Sequence, residues 1–315
     1  MVLTMNDVDR FEAARPRLEA IAYRLLGSAS EAEDAVQDTF LRWQAADVDR
    51  IEVPEAWLTK VLTNLCLNQL TSARARRETY VGEWLPEPLL AGDPMLGPAD
   101  TAEQRESVSY AVLAVMERLS PNERAVYVLR EAFDYPHREI AEILDLTETA
   151  SQQVFHRAKK HVAAGKARTE IDEAEAKRIV EEFLAAAISG RTEPLVRLLT
   201  GDAVAIGDGG GKVPARAKAF EGALAVATFM RGLFKPGIAK QKIVGGSPEV
   251  YATTANGSPA AVAVLDGRVI GIMCLEVTED GIKAFRNQVN PDKLERATRQ
   301  WATTDHGAPL LESAF

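Results

Sequence analysis

Residues 78–100 hold four prolines (Pro86, Pro88, Pro94, Pro98) and three glycines (Gly82, Gly92, Gly97), and no regular helix survives that density of breakers. Helical periodicity runs on both sides, so this stretch separates two helical modules. It reads as a linker, but not a purely flexible one. Trp84, Leu85, Leu89 and Leu90 are too apolar for a segment that stays in water, which predicts docking on a surface. At 315 residues the chain has room for two or three domains, each with its own core.

From residue 8 to about 77 the pattern is helical throughout. A first helix from about Asp9 to Leu26 ends at Gly27, a residue suited to the left-handed C′ position. Ser30 and Glu33 form a capping box for a second helix, which places Ala32, Val36, Phe40 and Trp43 on one face. A third helix starts at Pro54, buries Trp57, Val61 and Leu65, and ends in a basic run. Helices resume at about Thr101, and Ser120-Pro121-Asn122-Glu123 is a further capping box, opening a helix that buries Val128, Leu129 and Phe133.

After about Ala167 the style changes. One long helix, residues 173–189, precedes short Val- and Ala-rich runs. The dipeptides Asp266-Gly267 and Asp280-Gly281 favour hairpin turns, so an antiparallel sheet is expected. The boundaries are 1–77, a linker at 78–100, 101–167, an α+β domain at 168–298, and a loose tail at 299–315 that carries His306.

The net charge of −9 argues by itself against a nucleic-acid partner, but its distribution argues otherwise. Basic residues cluster at Arg74, Arg76 and Arg77, and again at Arg157, Lys159, Lys160, Lys166 and Arg168, which suits local, weak DNA contact. Cys66 and Cys274 lie far apart in apolar stretches, a pattern of buried thiols rather than of a disulfide framework or a metal site. No apolar run of about 18–20 residues and no leader-like N-terminus is present, so a cytoplasmic location is expected.

Residues 139–162, EIAEILDLTETASQQVFHRAKKHV, have helix-turn-helix spacing. Ile140, Ala141, Ile143 and Leu144 face inward, Asp145-Leu146 make the turn, and Thr147 caps a helix that buries Val154, Ala158 and Val162. Thr149, Gln152, Gln153, His156, Arg157 and Lys160 remain on its outer side, where amides can read base edges and cations can hold phosphates. Two adjacent amphipathic helices also occur in ordinary bundles, so this segment alone supports only DNA binding.

Three segments in order, AYRLLGSASEAEDAVQDTFLRWQ, PEAWLTKVLTNLCLNQLTSARARR and LSPNERAVYVLREAFDYPHREIAEIL, resemble the extracytoplasmic-function group of the sigma-70 family over residues 8 to about 163. The resemblance implies that the chain is an RNA polymerase subunit and not an enzyme. It further implies that Asp34, Gln37, Asp38 and Arg42 contact the clamp helices of the polymerase largest subunit. It also implies that Asn64, Asn68, Arg74, Arg76 and Arg77 capture the melted −10 element, and that the helix-turn-helix reads the −35 element. A polar, cationic surface suits a single strand. Trp57 at its spacing fits the core better than a stacking platform.

Members of this group normally end after the recognition helix. Residues from about 170 resemble a SnoaL-like domain, the cone-shaped α+β fold of nuclear-transport-factor relatives. Three motifs are similar to those of the subgroup that carries this extension, often called SigJ-like: Trp84-Leu85-Pro86-Glu87-Pro88, Asp208-Gly209-Gly210-Gly211-Lys212 and Asn290-Pro291-Asp292-Lys293-Leu294. That resemblance implies regulation in cis, with Trp84, Leu85, Pro86, Asp208, Lys212, Asn290, Pro291, Asp292, Lys293 and Leu294 as its residues.

The glycine run is read first as a tight turn and second as a ligand loop. The fold implies a pocket with room for a small ligand. No cofactor, metal or membrane partner is expected, and no catalytic set stands out, since Asp208 alone is too little. The competing classes are a stand-alone repressor with an effector domain and a SnoaL-like enzyme with a helical adaptor.

Overall fold

The computed structural model describes residues 4–77, 80–163, 171–215, 218–235 and 237–314. They form two units, one of Met1–Thr79 with Gly92–Lys166 and one of Tyr80–Ala91 with Ala167–Phe315. The Pro/Gly-rich linker is therefore shared. Its first part is built into the second unit and its remainder into the first.

The first unit is all helical. Helices α1 (Met5–Leu26), α2 (Ala29–Ala45) and α3 (Pro54–Arg77) form one module. α1 starts earlier than its periodicity suggests because Thr4 and Asp7 cap it reciprocally, and it ends at Gly27 with φ 69°. The α2 cap is Ser28, not Ser30: its hydroxyl accepts the Glu31 amide at 3.3 Å. Both serines stand three residues before a glutamate. The left-handed Gly27 delivers the next residue extended, which is N-cap geometry, so the earlier serine takes the role.

In α3 the buried stripe is Leu58, Leu62, Leu65 and Cys66, while Trp57 and Val61 are only half-buried, one residue off the expected phase. The helix is apolar at adjacent positions, and packing against α1 and α2 selects the leucine face. Trp57 instead leans on the buried Trp43, their rings 5.6 Å apart.

The second helical module holds α4 (Ala102–Ser107), α5 (Tyr110–Met116), α6 (Pro121–Tyr127), a π-helical turn Val128–Ala132, α7 (His137–Leu144) and α8 (Glu148–Ala163). The Ser120–Glu123 capping box opens α6 as expected. Two buried arginines join the modules. Arg24 donates to the Ser107 hydroxyl at 3.0 Å and to the Leu96 carbonyl at 2.6 Å; Arg124 donates to the Arg24 carbonyl at 3.2 Å and pairs with Glu117 at 2.6 Å. Burial lowers Arg24 to about 10 and Arg124 to about 9, so both stay charged near neutrality.

The second unit is α+β. Helices α9 (Glu173–Ile188) and α10 (Glu193–Leu198) lead into β1 (Leu199–Asp208), β2 (Phe220–Glu221), α11 (Ala223–Phe234) and α12 (Ile238–Val244). Strands β3 (Glu249–Ala255), β4 (Ser258–Leu265), β5 (Arg268–Thr278) and β6 (Gly281–Gln288) follow, then α13 (Glu295–Trp301). The sheet order is β2-β1-β6-β5-β4-β3, and all pairs are antiparallel except β1 with β6. The two expected hairpins are present, and Asn256-Gly257, both at positive φ, makes a third between β3 and β4. One face of the sheet packs on α9 and α11 through Phe183, Leu184, Val226, Met230 and Phe285.

The C-terminal residues are not loose. His306 stacks on Trp301 with centroids 3.3 Å apart, and Leu310 and Leu311 donate to the Val250 carbonyl. Leu311 and the linker residue Leu90 each bridge to β3, so the tail and the linker together cover the sheet's edge strand.

Candidate functional site

Four groups of residues were expected to act, and the structure orders them differently. On α2, Asp34, Gln37, Asp38 and Arg42 all lie exposed on the face opposite Ala32, Val36 and Trp43. Leu41 sits among them and is 52% exposed, an apolar centre in a polar stripe that the sequence reading missed. Leucine in an amphipathic helix ordinarily reads as core, so only the rotation of α2 against α1 reveals it.

On α3, Asn68 is exposed and Asn64 half-buried; Arg74, Arg76 and Arg77 fall in the last turns of the helix, and their side chains lie outside the described ones. The first turns of α3 are covered within the same unit. Lys60 donates to the Glu142 carbonyl at 2.6 Å and to Asp145 at 3.0 Å, and Thr59 and Tyr135 share a 3.0 Å hydrogen bond. The helix-turn-helix is thus packed on the helix expected to hold the −10 strand.

In α7 and α8 the helix-turn-helix is built as expected. Asp145 adopts φ 53°, ψ 46° at the turn, a conformation aspartate tolerates where glycine is commoner. Ser151 is buried and bonds His137 Nδ1 at 2.9 Å, which ties the start of α7 to α8; burial, helped by Arg130, lowers the His137 pKa from its ordinary value. Ala158 and Val162 are buried, and Val154 only half so, because Phe155 beside it stacks on Tyr127 at 6.4 Å. Thr149, Gln152, Gln153, His156, Arg157 and Lys160 are all exposed. Arg157 leans toward Glu123 at 3.7 Å, a half-screened contact that costs little to exchange.

The fourth group converges most tightly. Asp208, at the end of β1, is buried, and its carboxylate accepts from the Tyr80 hydroxyl at 2.6 Å, the Leu85 amide at 2.9 Å, Gln288 Nε2 at 3.2 Å and Lys293 Nζ at 2.7 Å. Lys293 Nζ also donates to the Leu85 carbonyl at 2.7 Å and lies 3.9 Å from the centre of the Trp84 ring. Burial opposes ionisation of Asp208, but the ammonium and hydrogen bonds of Lys293, with those from Tyr80 and Leu85, hold its pKa below the ordinary 3.8. Asn290 donates to the Tyr80 hydroxyl at 3.0 Å, and farther along Asn256 accepts the Leu89 amide at 2.9 Å. Residues 80–91 are in this way clamped to the α+β unit.

The glycine run is a turn. Gly210 has φ +59°, and a Cβ there would lie 2.3 Å from the Asn290 amide nitrogen, so Asn290 packs directly against the turn. Lys212 pairs with Asp292 at 2.7 Å, but both are more than half exposed, and the pair is peripheral to the clamp. Pro291 is exposed; Leu294 is buried. Tyr80, Gln288 and Asn256 were missed, since none belongs to a short motif and the fold alone brings them to the linker. Among the described residues no group of acidic, histidine or cysteine side chains has metal-binding spacing, and no helix is long and apolar enough to cross a membrane.

A polar stripe on one helical module, a helix-turn-helix on a second and a linker clamped to an α+β domain give the chain the outline of a multidomain DNA-binding protein. Residues 10–76 match the model of sigma-70 region 2 and residues 109–162 that of sigma-70 region 4. The chain is 36% identical to the extracytoplasmic-function RNA polymerase sigma factor SigJ of Mycobacterium tuberculosis, over 91% of this chain and 93% of that one. It is 28% identical to the probable sigma factor SigI of the same species, over 90% and 93%. The crystal structure of Mycobacterium tuberculosis SigJ superposes with a TM-score of 0.69 at 33% identity, covering 91% of this chain and 97% of that one. The chain belongs to the extracytoplasmic-function family of RNA polymerase sigma factors, promoter-selecting subunits rather than enzymes, and carries an α+β domain at its C-terminus.

Proposed function

We propose that this sigma factor is restrained in cis, with its linker as the restraint. The observation that carries the reading is the buried Asp208–Lys293 pair holding residues 80–91. The chain leaves α3, passes through the α+β unit as residues 80–91, and returns to the helical unit, so the connection between the two reading modules is fixed by the third domain.

Elements at −10 and −35 are about 25 base-pair steps apart, on the order of 80 Å at roughly 3.4 Å per step. Modules joined by the Lys60–Asp145 and Thr59–Tyr135 contacts cannot span that distance. The described arrangement is a closed one, and initiation requires the modules to part.

In the open form, residues 1–77 read the −10 element through Asn64, Asn68, Arg74, Arg76 and Arg77, and residues 101–167 read the −35 element through Thr149, Gln152, Gln153, His156, Arg157 and Lys160. Asp34, Gln37, Asp38 and Arg42 dock on the polymerase core. The polar α2 stripe, the exposed outer face of α8 and the cationic end of α3 support these roles. Residues 168–298 regulate, the work is done in the cytoplasm where polymerase resides, and the partners are core polymerase and promoter DNA.

Run-off transcription with purified core polymerase tests the reading. Initiation should depend on the added chain, and Lys293→Met should raise output by opening the clamp. Absence of core-dependent initiation removes the assignment of roles; unchanged output from Lys293→Met and Trp84→Ala removes the restraint.

A further inference from the structure

The α+β unit holds an open-mouthed cavity of about 880 Å³ between the sheet and α11, near the upper end of the range for small-molecule sites. Its walls are apolar, with Phe229, Leu233, Phe234, Val250 and Met273 among them, and Asn287 offers an amide to the interior. The charged residues that line it, Lys218, Asp266, Arg268, Glu295 and Arg299, are all exposed and ring the mouth. A charge carried inward would find no ionic partner among the described residues, and burying one unpaired is costly.

The cavity and the linker clamp are two faces of the same backbone. Along β1, Gly207 lines the cavity and Asp208 holds the linker; along β6 and beyond, Asn287, Val289, Pro291 and Leu294 line the cavity, while Gln288, Asn290 and Lys293 hold the linker or Tyr80. The period-two alternation of a strand puts Gly207 and Asp208, and Asn287 and Gln288, on opposite faces, and the 3-10 turn Pro291–Lys293 that follows β6 carries residues of both kinds. A shift of these segments by a fraction of an ångström to fit an occupant also moves Asp208 and Lys293, whose contacts are short and geometrically demanding.

We propose that the cavity is a receptor site for a neutral, largely apolar small molecule carrying one polar group for Asn287, and that its occupancy is read out by the linker clamp. This rests on the linker docking argued above and adds the chemical class of the signal.

The test uses the full chain and N-phenyl-1-naphthylamine, a neutral apolar fluorophore. Binding is read by fluorescence, and amide hydrogen exchange of Leu85, Leu89 and Ala91 is followed with and without the probe. Ala263→Phe fills the cavity from β4 and Leu233→Trp from α11, so the site is tested even where one variant folds poorly by circular dichroism.

Saturable one-site binding is expected, weakened about tenfold or more in both filled variants, since overpacked space admits no ligand. Exchange of the three linker amides should change about threefold or more on probe binding in the wild type alone. Absence of saturable binding, or binding that survives both fillings, overturns the site. Binding with unchanged linker exchange overturns the readout. Amides that exchange freely before any probe is added overturn the docking itself, whatever the cavity does.

Discussion

The two halves of the linker are both held, by different chemistry. Residues 80–91 are fixed by an ion pair and a ring of polar side chains, in which Asp208, Lys293, Gln288 and Asn290 each contribute a hydrogen bond. Residues 92–97 are fixed by close packing and by a hydrogen bond from a buried arginine. Met95 is fully buried, the Leu96 carbonyl takes Arg24, and a Cβ on Gly97 would lie 2.6 Å from that of Ala20. A close-fitted anchor loosens only with the scaffold it is packed in, whereas a half that buries Leu85, Leu89 and Leu90 around an ion pair can be released when that pair exchanges partners. On the proposed reading the first half is the switchable one and the second belongs to the helical scaffold.

The largest expected effect follows from removing one member of the buried pair. Asp208→Asn leaves Lys293 partly unpaired, and loss of a partner in a buried pair costs about 3–5 kcal/mol. Amide exchange of residues 85–91 should accelerate by about two orders of magnitude or more at roughly 1.4 kcal/mol per decade, while the melting of the helical unit stays in place. An equal loss in both units would erase the distinction between the two anchors.

Arg24→Met makes the converse case. It removes bonds to Leu96, Ser107 and Ala20, and should destabilise the helical unit by about 2–3 kcal/mol in chemical denaturation without loosening residues 80–91. Trp84→Ala removes a cation–π contact of about 1–2 kcal/mol, so linker exchange should rise about tenfold, less than for Asp208→Asn.

Acid should separate the halves as well. The folded pKa of Asp208 is depressed, so the stabilisation it contributes is present above its ordinary 3.8 and is lost as pH falls through the lower folded value. Linker protection measured from neutrality downward should hold until that region and then fall, with Met95 protected past that point unless the whole unit melts.

Much of this was legible beforehand because the motifs were local. The Pro121 capping box, the Gly27 terminator, the Asp266-Gly267 hairpin and the helix-turn-helix each depend on residues within a few positions of one another. The docking of the linker could be read from Trp84 and Leu85, since apolar side chains must find a surface.

What was not legible depends on rotation or on distance. A helix apolar at Trp57, Leu58, Val61 and Leu62 has two admissible phases, and only its neighbours select one. The two serines before α2 are equivalent until the chain direction after Gly27 is known. Tyr80 lies more than 200 residues from Gln288 and Lys293, and the three meet at Asp208 only because the parallel β1–β6 pair sets Asp208 beside Gln288. The closed packing of α7 on α3 leaves no trace in either helix, because Lys60 and Asp145 read as ordinary surface charges.

On the proposed reading, that packing is also what must give way for promoter recognition. Labels at Lys60→Cys and Asp145→Cys, with the native Cys66 and Cys274 buried, allow the separation of α3 from the helix-turn-helix to be measured in the free chain and in the complex with core polymerase and promoter. A short separation in the free chain that lengthens by tens of ångströms in the complex, about the scale set by the promoter spacing, is the predicted result. A separation that is the same in both would contradict the closed and restrained state.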